Sequence, residues 1–136
     1  MKKRWVVGFL FNSKNELALV KKTHPAWQAG KLNGVGGKVE EGESIIQAMR
    51  REFNEEAGVE LEAWREFAIL KIDYGDVHFL VAHGDYELES LTEELVGWYS
   101  LDVLKTLPHI RNLDWLIPLA LDNQAKLAEF EYVEVR

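Results

Sequence analysis

Three glutamates on one predicted helix, Glu52, Glu55 and Glu56, are the residues of this chain best suited to do chemistry. At about 100° per residue they share an arc of roughly 100° and lie within one turn of each other. Like charges at those spacings repel, so the cluster costs stability unless a cation neutralises it. Carboxylate oxygens are hard ligands and favour Mg²⁺ or Mn²⁺, which keep several waters and take further ligands from phosphates. Arg51 precedes Glu55 by one helical turn, close enough to orient a carboxylate. The plain alternative for a Glu-rich helix is a solvated acidic face. What favours a metal site is that Gly37, Glu43, Arg51 and Gly58 stand at fixed offsets around the cluster.

The elements that must hold these residues follow from the same stretch. Ser44 can cap the helix by accepting from a free first-turn amide, with Glu43 beside the positive end of the dipole. Gly58 sits where a left-handed residue would end it. Ile45, Ile46, Met49, Phe53 and Ala57 fall on one side, predicting an apolar face buried against a sheet. Upstream, Leu32-Asn33-Gly34-Val35-Gly36-Gly37 is a glycine-rich approach that lets backbone come close to a ligand.

With 136 residues the chain is expected to form one domain with a core of its own. It has no cysteine, which rules out disulfides, thiolate metal sites and a thiol nucleophile. A net charge of -7 argues against nucleic-acid polymers as partners, while a small anion brought in with a divalent cation stays compatible. Met1-Lys-Lys-Arg4 before Trp5 to Phe11 imitates a secretory leader, but the apolar run is short and meets Asn12-Ser-Lys14 in place of a cleavage site. No stretch reaches the roughly 18 apolar residues of a membrane span. The expectation is a soluble, cytoplasmic protein without a membrane partner, for which a homodimer is possible.

Along the chain, Trp5 to Phe11 and Glu16 to Lys21 read as a hairpin around Asn12-Ser-Lys-Asn15, and Thr23 to Lys31 as a loop. Leu61 to Ile72 and Val77 to Ala82 read as strands joined by a turn at Asp73 to Asp76, with a further strand near Val96 to Ser100. Leu101 to Leu107 reads as a short helical piece stopped by Pro108. A second amphipathic helix starts near a cap at Asn112 and contains Pro118, and Glu129 to Val135 alternates like an edge strand. Strands with one early and one late helix predict a mixed sheet covered on both sides.

Gly37 to Val59 also carries a resemblance. Glycine, five residues, glutamate, seven residues, then Arg-Glu-hydrophobic-any-Glu-Glu-any-Gly-hydrophobic is the Nudix box. Every specified position is matched, with Phe53 where the family more often has an aliphatic residue. The chain thus resembles the Nudix hydrolases and their MutT-like nucleotide pyrophosphohydrolases. The resemblance implies a single Nudix domain over residues 1–136, an α/β/α sandwich with a mixed central sheet. It implies metal-dependent hydrolysis of a nucleoside diphosphate linked to another group, by water attack at phosphorus. The implied metal ligands are Glu52, Glu55, Glu56 and the backbone oxygen of Gly37. Lys38 would meet the phosphate chain and Arg51 would orient a box glutamate. Family members differ over the general base, so Glu52 and Glu94 are rivals for it, with Glu93 an outsider.

The leader Leu32 to Glu40 is similar to that of members acting on nucleoside triphosphates, oxidised purine ones included, which release monophosphate and pyrophosphate. Val35 stands where many relatives have proline. Asn33 could hydrogen-bond a base edge, or simply serve the turn. Hydrolysis of ADP-ribose, a nucleotide sugar or a dinucleoside polyphosphate is the alternative, followed by a silent nucleotide-sensing domain. Trp27, Trp98 and Trp115 could stack a base but are the kind of residue usually found in a core. His24, His78, His83 and His109 show no ligand spacing and read as ordinary surface or loop histidines.

Overall fold

The computed structural model describes residues 2–124 and 127–131. It is an α/β/α sandwich. The elements run β1 (Lys3–Phe11), β2 (Glu16–Lys21), β3 (Leu32–Asn33), β4 (Val35–Lys38), α1 (Ile45–Ala57), β5 (Arg65–Ile72), β6 (Gly75–His83), β7 (Leu95–Ser100), α2 (Leu101–Leu104), α3 (Leu113–Leu121) and β8 (Ala128–Glu131). The sheet order is β3-β2-β1-β6-β5-β8, with β4 added to β1 and β7 to β2. β1 pairs β6 in parallel and β5 pairs β8 in parallel, while the other ladders are antiparallel, so the sheet is mixed.

β1 is apolar on both faces because both faces are covered. Val6 and Leu10 point toward α1 with Met49, Phe53, Trp64 and Leu80. Phe9 and Phe11 point the other way, into a core shared with Leu104, Leu113, Leu116 and Ala120 of the late helices. Helix α1 is fixed at both ends. Ser44 accepts from the Gln47 amide at 3.1 Å and Gln47 accepts in return from the Ser44 amide at 2.8 Å, a reciprocal capping box. Gly58 ends it in the left-handed conformation at φ 69°.

Several expectations shift. Ile46 is exposed, and the buried face of α1 runs through Ala48, Met49, Phe53 and Ala57. Ile46 immediately follows Ile45 in the first turn, and 100° of rotation carries it off the stripe. The third long strand begins at Arg65 rather than Leu61, and β6 already includes Gly75 and Asp76, leaving Asp73-Tyr74 as the turn. Asn112 starts α3 without a side-chain cap bond. His78 is a buried strand residue paired with Glu66. The edge strand is described over Ala128–Glu131, and the rest of the expected span lies outside the described residues.

Candidate active site

Arg51 is the hub that organises the carboxylates. Its Nε and Nη2 donate to the two oxygens of Glu43 at 2.7 and 2.9 Å, a bidentate fork. Its Nη1 donates to Glu52 Oε1 at 2.8 Å and, more weakly, to Glu55 Oε2 at 3.4 Å. Nη2 also reaches the Lys38 carbonyl at 3.0 Å, which ties the end of β4 to α1. The chief partners are therefore Glu43 and Glu52, with Glu55 the weakest. The Arg51 hydrogen bonds hold the Glu43 carboxyl below its usual range, against the opposing effect of burial.

β4 delivers Gly37 against α1. A Cβ at Gly37 would fall inside the Glu52 carboxylate, so glycine is what allows backbone and carboxylate to share this space. Burial raises the Glu52 pKa, although its Arg51 hydrogen bond opposes the rise. One turn on, Glu56 is pushed up to about 8, first by burial and then by the Glu52 charge. Its Oε2 is buried without a hydrogen-bond partner. Glu55 is mostly exposed.

Glu94 comes from the segment before β7, which is strapped to the end of α1 by the Glu89 amide on the Ala57 carbonyl at 3.0 Å. Its carboxylate is buried and bonded to Lys22 and Thr23. Burial alone would raise its pKa, but these hydrogen bonds and the Lys22 charge leave it lowered. Glu94 and Lys22 both act electrostatically on Glu56, so the strap, the end of β2 and the end of α1 meet here. Lys22 and Thr23 are not marked by any motif; the only signal in the sequence is a second lysine directly after the otherwise buried strand β2. Glu93 is exposed.

Asn33 sits beside this region on β3, with Oδ1 accepting from the Gly34 amide at 2.8 Å and Nδ2 donating to Gln28 at 3.2 Å. The Lys38 side chain is exposed. Trp27 is exposed at 63%, Trp98 is half-buried with Nε1 donating to the Tyr86 carbonyl, and Trp115 packs edge-on against Phe130. Trp98 packs against the margin of the α1-side core, Trp27 and Trp115 lie outside it, and the nearly buried tryptophan is Trp64.

Among the described residues no three acidic or histidine side chains stand close enough to form a finished cation cage. Arg51 draws Glu52 and Glu55 toward itself instead. The donor set nevertheless suits a divalent cation: hard carboxylate oxygens, repulsion between Glu52 and Glu56, and one buried oxygen with no partner.

A model of the NUDIX domain matches residues 1–117. The chain belongs to the NUDIX domain family. Members of this family generally work with divalent metal ions. The chain is 37% identical over 72 residues to the 8-oxo-dGTP diphosphatase of Escherichia coli (strain K12), a match covering 53% of this chain and 56% of that protein. It is 35% identical over 81 residues to the oxidized purine nucleoside triphosphate hydrolase of Danio rerio, covering 54% of this chain and 52% of the relative. The chain thus spans about half the length of these curated relatives. In shape it is similar to a MutT from the study of Aliivibrio salmonicida and Vibrio cholerae, with a TM-score of 0.75 at 27% identity, over 88% of this chain and 98% of the other. The NUDIX domain of Shewanella oneidensis NrtR, solved with ADP ribose, reaches a TM-score of 0.76 at 18% identity over 88% and 86%. Similar scores for a MutT and an ADP-ribose complex show the fold and leave the substrate open. No helix among the described residues of this NUDIX chain is long and apolar enough to cross a membrane.

Proposed function

We propose that this chain is a metal-dependent nucleotide pyrophosphohydrolase that converts a nucleoside triphosphate, oxidised purine forms included, to monophosphate and pyrophosphate. The observation that carries the reading is the Arg51-centred cluster: a complete box in which Glu43, Glu52 and Glu55 are bonded to one arginine at the end of β4, with a buried Glu56 oxygen left unpartnered. The names of the two curated relatives support the substrate class.

Glu52, Glu55 and Glu56, with the Gly37 carbonyl, are the groups that would hold Mg²⁺ or Mn²⁺. Such ions neutralise the charge spreading over a transferring phosphoryl group and lower the pKa of water. The chain's own residues do the rest. Arg51 fixes Glu52 through Oε1 alone, leaving Oε2 to take the proton of the attacking water. As water oxygen bonds to phosphorus, the bridging P–O bond breaks and its electrons leave with the pyrophosphate. Lys38, exposed at the end of β4, offers its ammonium to the phosphate chain. Asn33 presents an amide toward the base.

The test is a Mg²⁺-dependent screen of canonical and oxidised triphosphates, ADP-ribose, nucleotide sugars and diadenosine polyphosphates, with products identified. A triphosphate cleaved fastest, to monophosphate and pyrophosphate, is expected. Faster cleavage of ADP-ribose or a diadenosine compound overturns the substrate class, and turnover of none of them points to a sensing domain.

A further inference from the structure

The Glu94 carboxylate is only 3% exposed and both of its oxygens are engaged. Lys22 Nζ donates to Oε1 at 2.9 Å. The Thr23 amide donates to Oε2 at 2.6 Å, and the Thr23 hydroxyl donates to the same oxygen at 3.1 Å. A proton acceptor for water needs a lone pair facing that water, and buried carboxylates persist only where such donors satisfy them. The donors here all come from one place, the neck of the 23–31 loop.

That loop is a self-bonded body rather than a slack connection. Its neck is closed by the Lys22 amide on the Lys31 carbonyl at 2.9 Å and the Gly30 amide on the Lys22 carbonyl at 2.8 Å. Within it, the Gln28 and Ala29 amides turn back onto the Pro25 carbonyl and the Lys31 amide onto the Gln28 carbonyl. Gln28 Oε1 then accepts from Asn33 Nδ2, whose own Oδ1 is held by the Gly34 amide. A continuous line of hydrogen bonds therefore runs from Glu94, through the loop, to the Asn33 amide.

We propose that Glu94 is a positioning residue: it tethers the 23–31 loop at Thr23 and, through Gln28, sets the Asn33 amide for recognition of the nucleobase. The proposal rests on the nucleotide reading above and assigns Glu94 to substrate binding rather than to proton transfer. Geometry supports the division, because Glu52 keeps one oxygen free of its arginine whereas Glu94 keeps neither free of the loop.

The experiment compares Glu94→Ala and Glu94→Gln with the wild-type protein on its best triphosphate, and follows amide exchange at Thr23 without nucleotide. Removal of the tether in Glu94→Ala is expected to raise KM about tenfold, with kcat kept within about threefold and the acidic limb of the pH-rate profile in place. Glu94→Gln retains an acceptor oxygen for the Thr23 amide and should recover part of the affinity, which also covers the case in which Glu94→Ala does not fold. The Thr23 amide should exchange faster in Glu94→Ala than in wild type. A collapse of kcat at unchanged KM, or a flattened acidic limb, overturns the proposal and makes Glu94 the base. Unchanged Thr23 exchange overturns the tether itself. If the wild-type protein hydrolyses no nucleotide, the nucleotide reading has failed instead, and the exchange result still decides the tether.

Discussion

On the face of the sheet covered by α2 and α3, Phe9, Phe11, Leu17, Leu19, Leu113 and Leu116 are buried to completion or nearly so, in hydrocarbon surroundings. The α1 face buries Met49, Phe53 and Leu80 as well, but it also buries Glu94, and strand alternation puts Asp76 and His78 on the same side. The buried polar atoms without a hydrogen-bond partner among the described residues are Arg50 Nε, Glu56 Oε2, Trp64 Nε1, Asp76 Oδ1 and His78 Nε2. All five belong to the α1 side, and four of them are uncompensated, since Asp76 Oδ1 is ion-paired with Lys2 Nζ at 3.3 Å. An unpaired buried polar atom costs about 1–3 kcal/mol, so one face secures the fold while the other carries unfavourable groups that the first must offset. Such groups persist where function needs them.

The sharpest way to break this contrast is Glu56→Gln. If Glu56 holds a cation, the variant loses turnover by about a hundredfold or more, measured as kcat at saturating Mg²⁺. The same change should stabilise the metal-free protein in a pH-dependent way. In the folded chain Glu56 keeps its proton to about pH 8, against the ordinary value of 4.5. The folded state therefore binds more protons than the unfolded state between those values, and stability is lost as pH rises through that window. With EDTA, the wild-type melting temperature should fall relative to the variant between pH 5 and pH 8, and Mg²⁺ should narrow the gap. Parallel melting curves with EDTA would remove the idea that Glu56 is held at a cost.

Much of this contrast was legible in the residues alone, because two strong periodicities coincide in α1. Met49, Phe53 and Ala57 mark the buried stripe and Glu52, Glu55 and Glu56 the arc beside it, and Ser44 and Gly58 bound the helix. The hairpin and β6 were legible for the same reason, as apolar runs between turn residues. What stayed hidden depends on long-range placement. Glu94 and Lys22 are far apart in the chain and meet only because β7 pairs antiparallel with β2. His78 looked like a surface residue because its partner Glu66 lies across a ladder interrupted by a bulge. Arg51 turned mainly to Glu43, not Glu55, since the loop before the helix folds back over it, a path that spacing along a helix cannot reveal.

A second test addresses the hydrocarbon face. Leu116→Ala removes a fully buried side chain from the α3 layer and should cost about 2–5 kcal/mol of stability, read from urea unfolding. Its kcat, assayed well below the melting temperature, should match the wild type, because no α3 side chain takes part in the Arg51 cluster. A large fall in kcat without a change in fold would mean that the two faces are coupled and the division of labour is false.

The smallest effect is expected at Trp64, where the two descriptions of the α1 face oppose each other within one side chain. The indole is nearly buried and packs on Phe53 with ring centroids 5.0 Å apart, so it contributes to the core. Its Nε1–H, however, is buried with no partner. Trp64→Phe keeps an aromatic ring against Phe53 but leaves a void, a loss of about one or two buried methylene equivalents at about 0.8 kcal/mol each. It also removes a stranded donor that costs about 1–3 kcal/mol. The two terms nearly cancel, so the variant should lie within about 1 kcal/mol of wild type in urea unfolding, with an unchanged m-value. A cost well above about 2 kcal/mol would show that the indole N–H is satisfied, as by an ordered water. Trp64 would then join the ordinary core, and the burden of unpaired groups on the α1 face would contract toward Glu56 and the residues around it.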